Sequence, residues 1–169
     1  LAVEIADVSH VLQAKGDGWH DATVPAQAGD SYRFLIDGQA YPDPAARAQV
    51  GDVHGASLLV QPQSFEWTSD WPGIPWHEAV IYELHIGTFT EEGTFEAARL
   101  ALPRLKGLGI TLVEIMPVAQ FDGQRGWGYD GVLPYTPHNA YGSPDNLKHF
   151  VDTAHRLGMG VILDVVHNH

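Results

Sequence analysis

The length, composition and charge of the chain exclude several classes of protein. It has 169 residues, 44% of them hydrophobic and 18% charged, which is typical of a folded protein with an apolar core. Acidic residues outnumber basic residues by 21 to 9, and a net charge of −12 would repel a phosphate backbone, so nucleic acid is not expected as a partner. No apolar stretch approaches the roughly 18 residues that span a bilayer, so we expect no membrane partner. No charged, apolar and cleavage-site pattern opens the chain, so we expect no signal peptide. The lack of cysteine favours a reducing compartment, and we predict a cytoplasmic protein.

The first 60 residues have the pattern of a β-sheet domain. Short strands are predicted around 3–5, 8–12, 19–24 and 32–36, and Asp37-Gly38 favours a hairpin turn into the next strand at 39–41. A last strand is predicted at 58–60. The following segment, 61–76, is rich in proline and tryptophan, and we expect it to lie against a domain surface. We therefore place a domain boundary there, with a β-sandwich over 1–75.

The pattern then changes to alternating strands and helices. A strand is predicted over 79–86, with Glu83 and His85 on the same face, where a histidine could lie near a site. Thr94 can cap a helix that ends at about Gly107. Pro103 inside this helix should remove one hydrogen bond and kink it.

A second βαβ unit follows. The strand at 111–116 carries Glu114, and Ser143 with Pro144 predicts the start of a second helix, which Gly158 ends. Right-handed crossovers would make the three strands parallel, as in an α/β sheet or barrel.

The connection from 117 to 142 is predicted to be one long loop. Residues 121–131 read F-D-G-Q-R-G-W-G-Y-D-G, with three aromatic rings, two acids and one arginine among the glycines. Aromatic rings beside carboxylates are typical of sugar-binding sites, although a purely structural loop explains the composition equally well. Trp127 is expected to pack rather than to contact a ligand.

The closing segment, 161–169, reads V-I-L-D-V-V-H-N-H, a pattern typical of a strand buried on both faces. A carboxylate inside such a strand is costly unless it is paired, so we expect Asp164 to belong to a site or to tie neighbouring loops together. His167, Asn168 and His169 would follow the strand, where α/β barrels carry their reactive groups. Two histidines around one asparagine are a weak metal-binding pattern.

Several of these motifs resemble one enzyme family. D-V-V-H-N-H at 164–169 and G-W-G-Y-D at 126–130 resemble two regions of the α-amylase family of glycoside hydrolases. Y-E-L-H-I-G-T-F-T at 82–90 and M-P-V-A-Q-F at 116–121 resemble the branch that releases trehalose from malto-oligosaccharides with a trehalose end. Residues 32–55 also resemble the N-terminal sandwich of these enzymes, so the resemblance extends over nearly the whole chain.

The resemblance implies a multi-domain fold and a carbohydrate substrate. The expected fold is an incomplete, all-β immunoglobulin-like sandwich at 1–75, followed at 76–169 by the first three strands and two helices of a (β/α)8 TIM barrel. The expected reaction is retaining hydrolysis of an α-1,4-glucosidic bond, with a malto-oligosaccharide as ligand. The sequence leaves the oligomeric state open.

The resemblance also implies roles for individual residues. Tyr129 is expected to stack on the sugar at the cleavage subsite, and His169 to hydrogen-bond the same sugar. Asp130 and Asp164 are expected to contribute to substrate binding. Asn168 corresponds to a calcium ligand of true α-amylases, and no other cofactor is expected.

No catalytic residue is assigned. A retaining glycosidase needs a carboxylate nucleophile and a carboxylic acid roughly 5 Å apart, and in this family both follow later strands, which places them after residue 169. A glycogen branching or debranching enzyme is an alternative with the same architecture. A non-catalytic carbohydrate-binding fragment is the alternative from another class, although binding alone would not require βαβ units.

Overall fold

Residues 1–167 are described in a computed structural model. Within that range the chain forms many short strands and few helices. The strands are β1 Ala2–Ile5, β2 Val8–Val11, β3 Gln13–Gly16, β4 Trp19–Asp21, β5 Ser31–Ile36, β6 Gln39–Tyr41, β7 Ser57–Leu58, β8 Ile81–Leu84, β9 Leu112–Ile115, β10 Ala119–Gln120, β11 Leu133–Pro137 and β12 Gly160–Leu163. The helices are α1 Ile86–Phe89, α2 Phe95–Gly107 and α3 Pro144–Arg156. None of the helices in this range is long and apolar enough to cross a membrane.

The N-terminal part is built on an antiparallel sheet. Its strand order is β2-β1-β5-β6, β7 pairs with β5, and β3 pairs with β4 in a separate hairpin. The predicted turn between β5 and β6 is confirmed, with Asp37 at φ 51° and Gly38 at φ 81°. Such positive φ angles are those of a type I′ hairpin turn, which asparagine, aspartate and glycine tolerate best.

The C-terminal part contains a parallel sheet of the order β12-β9-β8. Helix α2 connects β8 to β9 and helix α3 connects β9 to β12, as the alternating pattern predicted. Both helices cover the same face of the sheet, because their apolar residues share one buried cluster with the strands. Its most buried members are Phe95, Ala98, Leu102, Val113, Phe150, Ala154 and Met159.

The opposite face of the parallel sheet carries the polar residues of the strands. The register places Glu83 of β8 beside Glu114 of β9 and Ile162 of β12. Beyond the strand ends, the backbone N–H of Met116 donates a hydrogen bond to the carbonyl oxygen of Leu84. The backbone N–H of Asp164 donates one to the carbonyl oxygen of Ile115. His85, Met116 and Asp164 therefore form one row at the carboxyl edge of the sheet, on the same face as the two glutamates.

Several elements differ from the predictions, and three of the differences bear on the site. The connection 117–142 contains the antiparallel pair β10 and β11, which the sequence hides because Pro134 and Pro137 argue against a strand. The strand predicted over 79–86 ends at Leu84, and the next residues form α1. Strand β12 ends at Leu163, so Asp164 follows the strand instead of lying within it.

The predicted helix starts are confirmed. The Thr94 side chain accepts from the backbone N–H of Ala97 at 3.2 Å. Ser143 and Asn146 form a reciprocal capping box at the start of α3. Helix α2 runs through Pro103 to Gly107, and its kink stays a prediction.

The segment 61–76 lies against α3, as predicted. Asp152 of α3 is 4% exposed, and its carboxylate accepts hydrogen bonds from the backbone N–H and the hydroxyl of both Thr68 and Ser69, over distances of 2.5–3.1 Å. Trp71 stacks on His155 with ring centroids 4.9 Å apart. Burial by itself would raise the pKa of Asp152, but the four hydrogen bonds outweigh burial and lower that pKa to about 2.

Replacing Asp152 by Ala is expected to lower the free energy of unfolding by about 3 kcal/mol, because the donors of Thr68 and Ser69 lose a charged acceptor. The pKa of Asp152 is depressed in the folded chain, so its stabilisation is complete above its ordinary pKa of 3.8 and is lost as the pH falls towards 2. Urea unfolding of both proteins between pH 7 and pH 2 measures this difference.

Asp145→Ala on the same helix is the matched control. Asp145 is exposed and, among residues 1–167, forms an ion pair with Lys148 alone, at 2.8 Å, so its loss is expected to cost about 0.5 kcal/mol. Equal stability of the two variants at pH 7 would contradict the anchoring role of Asp152.

Candidate functional site

At the carboxyl edge of the parallel sheet, residues 121–131, the glycine-rich loop, contact the end of β12. The hydroxyl of Tyr129 donates a hydrogen bond of 3.1 Å to Oδ2 of Asp164. The two residues are 35 positions apart in sequence, so this contact ties the loop to the strand end. One expectation for Asp164, that it connects neighbouring loops, is thereby confirmed.

Glycines allow the loop to approach the sheet closely enough for this contact. A Cβ atom at Gly128 would lie 1.9 Å from the carbonyl oxygen of Pro117, and φ is +91° there. A Cβ at Gly131 would lie 2.8 Å from that of Ala119. Because any side chain at Gly128 would push the loop away from the strand ends, the position of Tyr129 depends on that glycine.

The environment of Tyr129 favours its neutral form. The hydrogen bond to Asp164 raises the pKa of Tyr129, and so do burial and the negative charges of Asp164, Glu83 and Glu114. The side chain is still 39% exposed, which leaves the ring accessible. Tyr129 therefore presents an aromatic surface and an uncharged hydroxyl at the edge of the sheet.

A cleft of about 710 Å³ opens at the other end of the same edge, next to His85. His85 Nε2 lies 2.9 Å from the carbonyl oxygen of Gly126 and 3.1 Å from the hydroxyl of Tyr141. Its Nδ1 lies 3.2 Å from the hydroxyl of Thr88. The loop is thus held at Gly126 as well as at Tyr129. Sequence reasoning singled out His85 but missed Tyr141, which no motif marked.

Trp127 lies outside the core and is 74% exposed, so the expectation that it packs is wrong. The position beneath the loop is filled by Phe121, which is 2% exposed and stacks on His138 at 3.8 Å between ring centroids. A Cβ at Gly126 would lie 2.9 Å from the Phe121 ring. Phe121 therefore anchors the loop, and the Trp127 ring faces solvent beside the His85 cleft.

The remaining predicted site residues are less well placed. Asp130 is exposed and makes no hydrogen bond to another residue within 1–167. A smaller cleft of about 280 Å³ lies between Gly128, Asp164 and the exposed His167. The predicted sugar ligand His169 and the predicted calcium ligand Asn168 lie outside the described residues. Within the described part of the chain, no group of three or more His, Cys, Asp or Glu residues is arranged to hold a metal ion.

Asp164→Asn is expected to lower the pKa of Tyr129 towards its ordinary value of 10.0, because the variant removes the charged acceptor of the tyrosine hydroxyl. An NMR titration of the Tyr129 ring carbons measures this pKa. Asp130→Asn, next to Tyr129 but without this contact, is the control and should leave the pKa unchanged. The same tyrosine pKa in the Asp164 variant and the unaltered chain would contradict the described hydrogen bond.

Comparisons with known proteins identify the family of the chain. Residues 59–169 match the family model described as alpha amylase, catalytic domain. The chain is 49% identical over 170 residues to malto-oligosyltrehalose trehalohydrolase of Deinococcus radiodurans, over 100% of this chain and 28% of that protein. It is 50% identical over 145 residues to the protein of the same name from Saccharolobus solfataricus, over 85% of this chain and 26% of that one. A 1,4-alpha-glucan branching enzyme of Nitrobacter winogradskyi is 32% identical over 95% of this chain and 25% of that enzyme.

Solved structures share the fold over nearly the whole chain. A Salmonella typhimurium protein described as an alpha amylase is 51% identical, with a TM-score of 0.96 over 99% of this chain and 29% of that one. Pullulanase type I of Bacillus subtilis, in complex with maltose, is 25% identical, with a TM-score of 0.82 over 99% of this chain and 30% of that one. The chain thus spans less than a third of the length of each of these proteins. The family match covers more than half of its residues, and the chain belongs to the α-amylase family.

Proposed function

We propose that this chain contributes the substrate-binding edge of a glycoside hydrolase that releases trehalose from malto-oligosaccharides with a trehalose end. The observation that carries the proposal is the Tyr129–Asp164 hydrogen bond at the carboxyl edge of a parallel sheet. In α/β barrels, that edge carries the active site. The trehalohydrolases match the chain more closely than the branching enzyme does, which favours trehalose release over branching or debranching.

The proposal includes a more detailed fold. The parallel strands β8, β9 and β12, with both helices on one face, fit the first three strands of a (β/α)8 barrel. The antiparallel sheet before them fits part of an immunoglobulin-like sandwich, with the boundary near residue 75. The helix-covered face would then be the outside of the barrel wall, and Glu83 and Glu114 would face its interior.

In this proposal Tyr129 positions the sugar at the cleavage subsite. A pyranose ring can stack on the exposed face of Tyr129, because its C–H bonds are apolar while its hydroxyls remain free to form hydrogen bonds. The hydrogen bond from Tyr129 to Asp164 fixes the direction of the tyrosine hydroxyl, so the ring is oriented before the substrate binds. His169 would hydrogen-bond the same sugar, and Asp130 would contact it from the next position in the loop.

The bond-breaking groups are assigned outside this chain. Retaining hydrolysis requires a nucleophilic carboxylate and a general acid on opposite sides of the glycosidic bond. Asp164 is engaged by Tyr129, and Glu83 and Glu114 lie deeper along the strands than the row that holds Asp164. The contribution of this chain is therefore binding and orientation. A calcium ion at Asn168 and a cytoplasmic location stay predictions.

The test uses a protein that carries this chain at the full length of its curated relatives. Incubated with malto-oligosyltrehalose, it should release free trehalose, and with amylose it should form no new α-1,6 branches. Tyr129→Ala should lower kcat/KM for trehalose release by about 10-fold or more, because the sugar loses its stacking surface. Branch formation without trehalose release would contradict the proposed reaction.

The 169-residue chain alone is a control for this assignment. It should bind malto-oligosaccharides weakly and release no trehalose, since the proposal places the nucleophile and the general acid elsewhere. Trehalose release by the purified chain would overturn that placement. Asp122→Ala, an exposed acid in the same loop, is the matched variant for Tyr129→Ala and should keep the activity of the unaltered protein.

A further inference from the structure

We propose that His138 is a positioning residue of the site, which holds the glycine-rich loop while its ring is neutral and releases the loop in acid. Release withdraws Tyr129 from the edge of the sheet and weakens sugar binding there. The inference rests on the proposed function and adds a pH-dependent control to it. His138 directly follows β11 and is 1% exposed.

The His138 ring lies between the loop and the turn that follows β11. Its Nε2 lies 3.1 Å from the carbonyl oxygen of Gly123 in the loop. Its Nδ1 accepts a hydrogen bond of 3.0 Å from the backbone N–H of Ala140. The face of the ring stacks on Phe121, with ring centroids 3.8 Å apart. One side chain thus joins the turn to two points of the loop.

The partners of His138 permit only one protonation state of the ring. A carbonyl oxygen only accepts and a backbone N–H only donates, so the neutral ring with its hydrogen on Nε2 satisfies Gly123 and Ala140 together. A proton on Nδ1 would point at the N–H of Ala140, donor against donor. A buried charged ring without an acceptor for Nδ1–H is costly, so protonation disfavours this arrangement.

The turn is fixed by backbone hydrogen bonds, so the protonated ring moves rather than the turn. The backbone N–H of His138 donates to the carbonyl oxygen of Val118 at 2.7 Å, and that of Tyr141 donates to the carbonyl oxygen of His138 at 2.9 Å. The carbonyl oxygen of Tyr141 accepts in turn from the backbone N–H of Phe95 at 2.8 Å. A ring that swings out towards water therefore loses its contact with Gly123, which lies in the exposed part of the loop.

The surroundings of His138 do not favour a charged ring. Tyr141 contacts the ring from the core side, with ring centroids 5.1 Å apart, and burial raises its pKa to about 12, so it stays neutral. The other titratable and charged side chains of the elements around His138 are Asp122 and Arg125 in the loop, Tyr135 on β11, Arg47 and Asp52 in the N-terminal part, all exposed, and His85 behind Tyr141.

Burial lowers the pKa of His138 from its ordinary value of 6.5, and hydrogen bonding to the backbone at Gly123 and Phe121 offsets only part of this effect. The neutral ring therefore holds the loop fully above pH 6.5, and the hold is lost as the pH falls through the lower pKa of the folded chain. Each pH unit below 6.5 favours the released state by up to about 10-fold.

His85 also holds the loop, at Gly126, but a proton does not break its contacts. Its Nδ1 faces the hydroxyl of Thr88, which can accept as well as donate. A protonated His85 therefore keeps both Gly126 and Thr88 as partners. Of these two histidines, His138 is the one whose contacts depend on the neutral ring.

The experiment titrates the 169-residue chain with maltotetraose at pH 7.5 and pH 5.0 and follows assigned NMR signals of the Tyr129 ring. The affinity should be about 5-fold weaker at pH 5.0, because only the chains with a held loop bind the sugar. Without sugar, the backbone signals of Gly123 and Trp127 should move over the same pH range as the Cε1–H signal of His138, which reports its protonation. Equal affinity at both pH values would overturn the inference.

His138→Gln separates the holding role from the acid sensitivity. The glutamine amide can place a donor near the position of Nε2 but does not titrate, so this variant should stay within about 3-fold of the unaltered affinity at both pH values. His138→Ala lacks the donor and should bind weakly at both. If the alanine variant loses the dispersion of a folded spectrum, the glutamine variant decides the question. The full loss of affinity at pH 5.0 in His138→Gln would overturn the role of His138.

His155→Gln is the matched control. Burial lowers the pKa of His155 as well, but its ring stacks on Trp71 at 4.9 Å between ring centroids and holds no part of the loop. This variant should keep the pH dependence of the unaltered chain. A flat pH profile in His155→Gln would place the acid sensitivity on α3 and contradict the inference.

The outcomes separate the two proposals. Sugar-induced shifts of Tyr129 with one affinity at both pH values would overturn the role of His138 and leave the proposed function standing. No shift of Tyr129 at either pH would contradict the proposed function. In that case, sugar-free signals of Gly123 and Trp127 that follow the protonation of His138 would support its hold on the loop, and unchanged signals would overturn it.

Discussion

The parallel register of β8, β9 and β12 is the constraint on which the site depends. It aligns the ends of three strands that come from distant parts of the chain, so His85, Met116 and Asp164 form one row. The helices α2 and α3 bury the apolar face of the same sheet and leave the polar row on the other face. A shift of one residue in β12 would turn Asp164 towards the helices and remove the acceptor of Tyr129.

The glycine-rich loop covers this row and places aromatic rings beside it. It is held at Gly126 by His85 and at Tyr129 by Asp164, and Phe121 anchors it from below. With both ends of the stretch 126–129 fixed to different strands, the backbone that carries Trp127 and Tyr129 is held in place. A backbone preorganised in this way reduces the entropy that a flexible oligosaccharide site would lose on binding.

The sequence predicted the change from short strands to alternating strands and helices, because each pattern has a clear period. Strands with turn residues at Asp37-Gly38 and helices with caps at Thr94 and Ser143 form where local chemistry favours them, and the structure confirms all three features. The pair β10 and β11 was not predictable, since two prolines in β11 contradict the usual strand pattern.

The site was predictable only in part, because its contacts are long-range. Tyr129 and Asp164 were singled out by residue type and by resemblance, but no local pattern reports a hydrogen bond across 35 positions. Trp127 was misjudged because apolar residues usually pack, whereas here Phe121 already fills the core position. Tyr141 lies after β11 without any motif around it, and only the fold brings it to His85.

The central claim is that Tyr129, at the carboxyl edge of the parallel sheet, is where this chain holds a glucosyl unit. Intermolecular nuclear Overhauser effects with bound maltotetraose test it directly, because they report proton pairs within about 5 Å of each other, the contact range of stacked rings. The account predicts cross-peaks between the C–H protons of a glucosyl ring and the Tyr129 ring. Cross-peaks confined to Trp19 and Tyr41, the exposed aromatic residues of the N-terminal strands, would contradict it and favour a carbohydrate-binding role for that part instead.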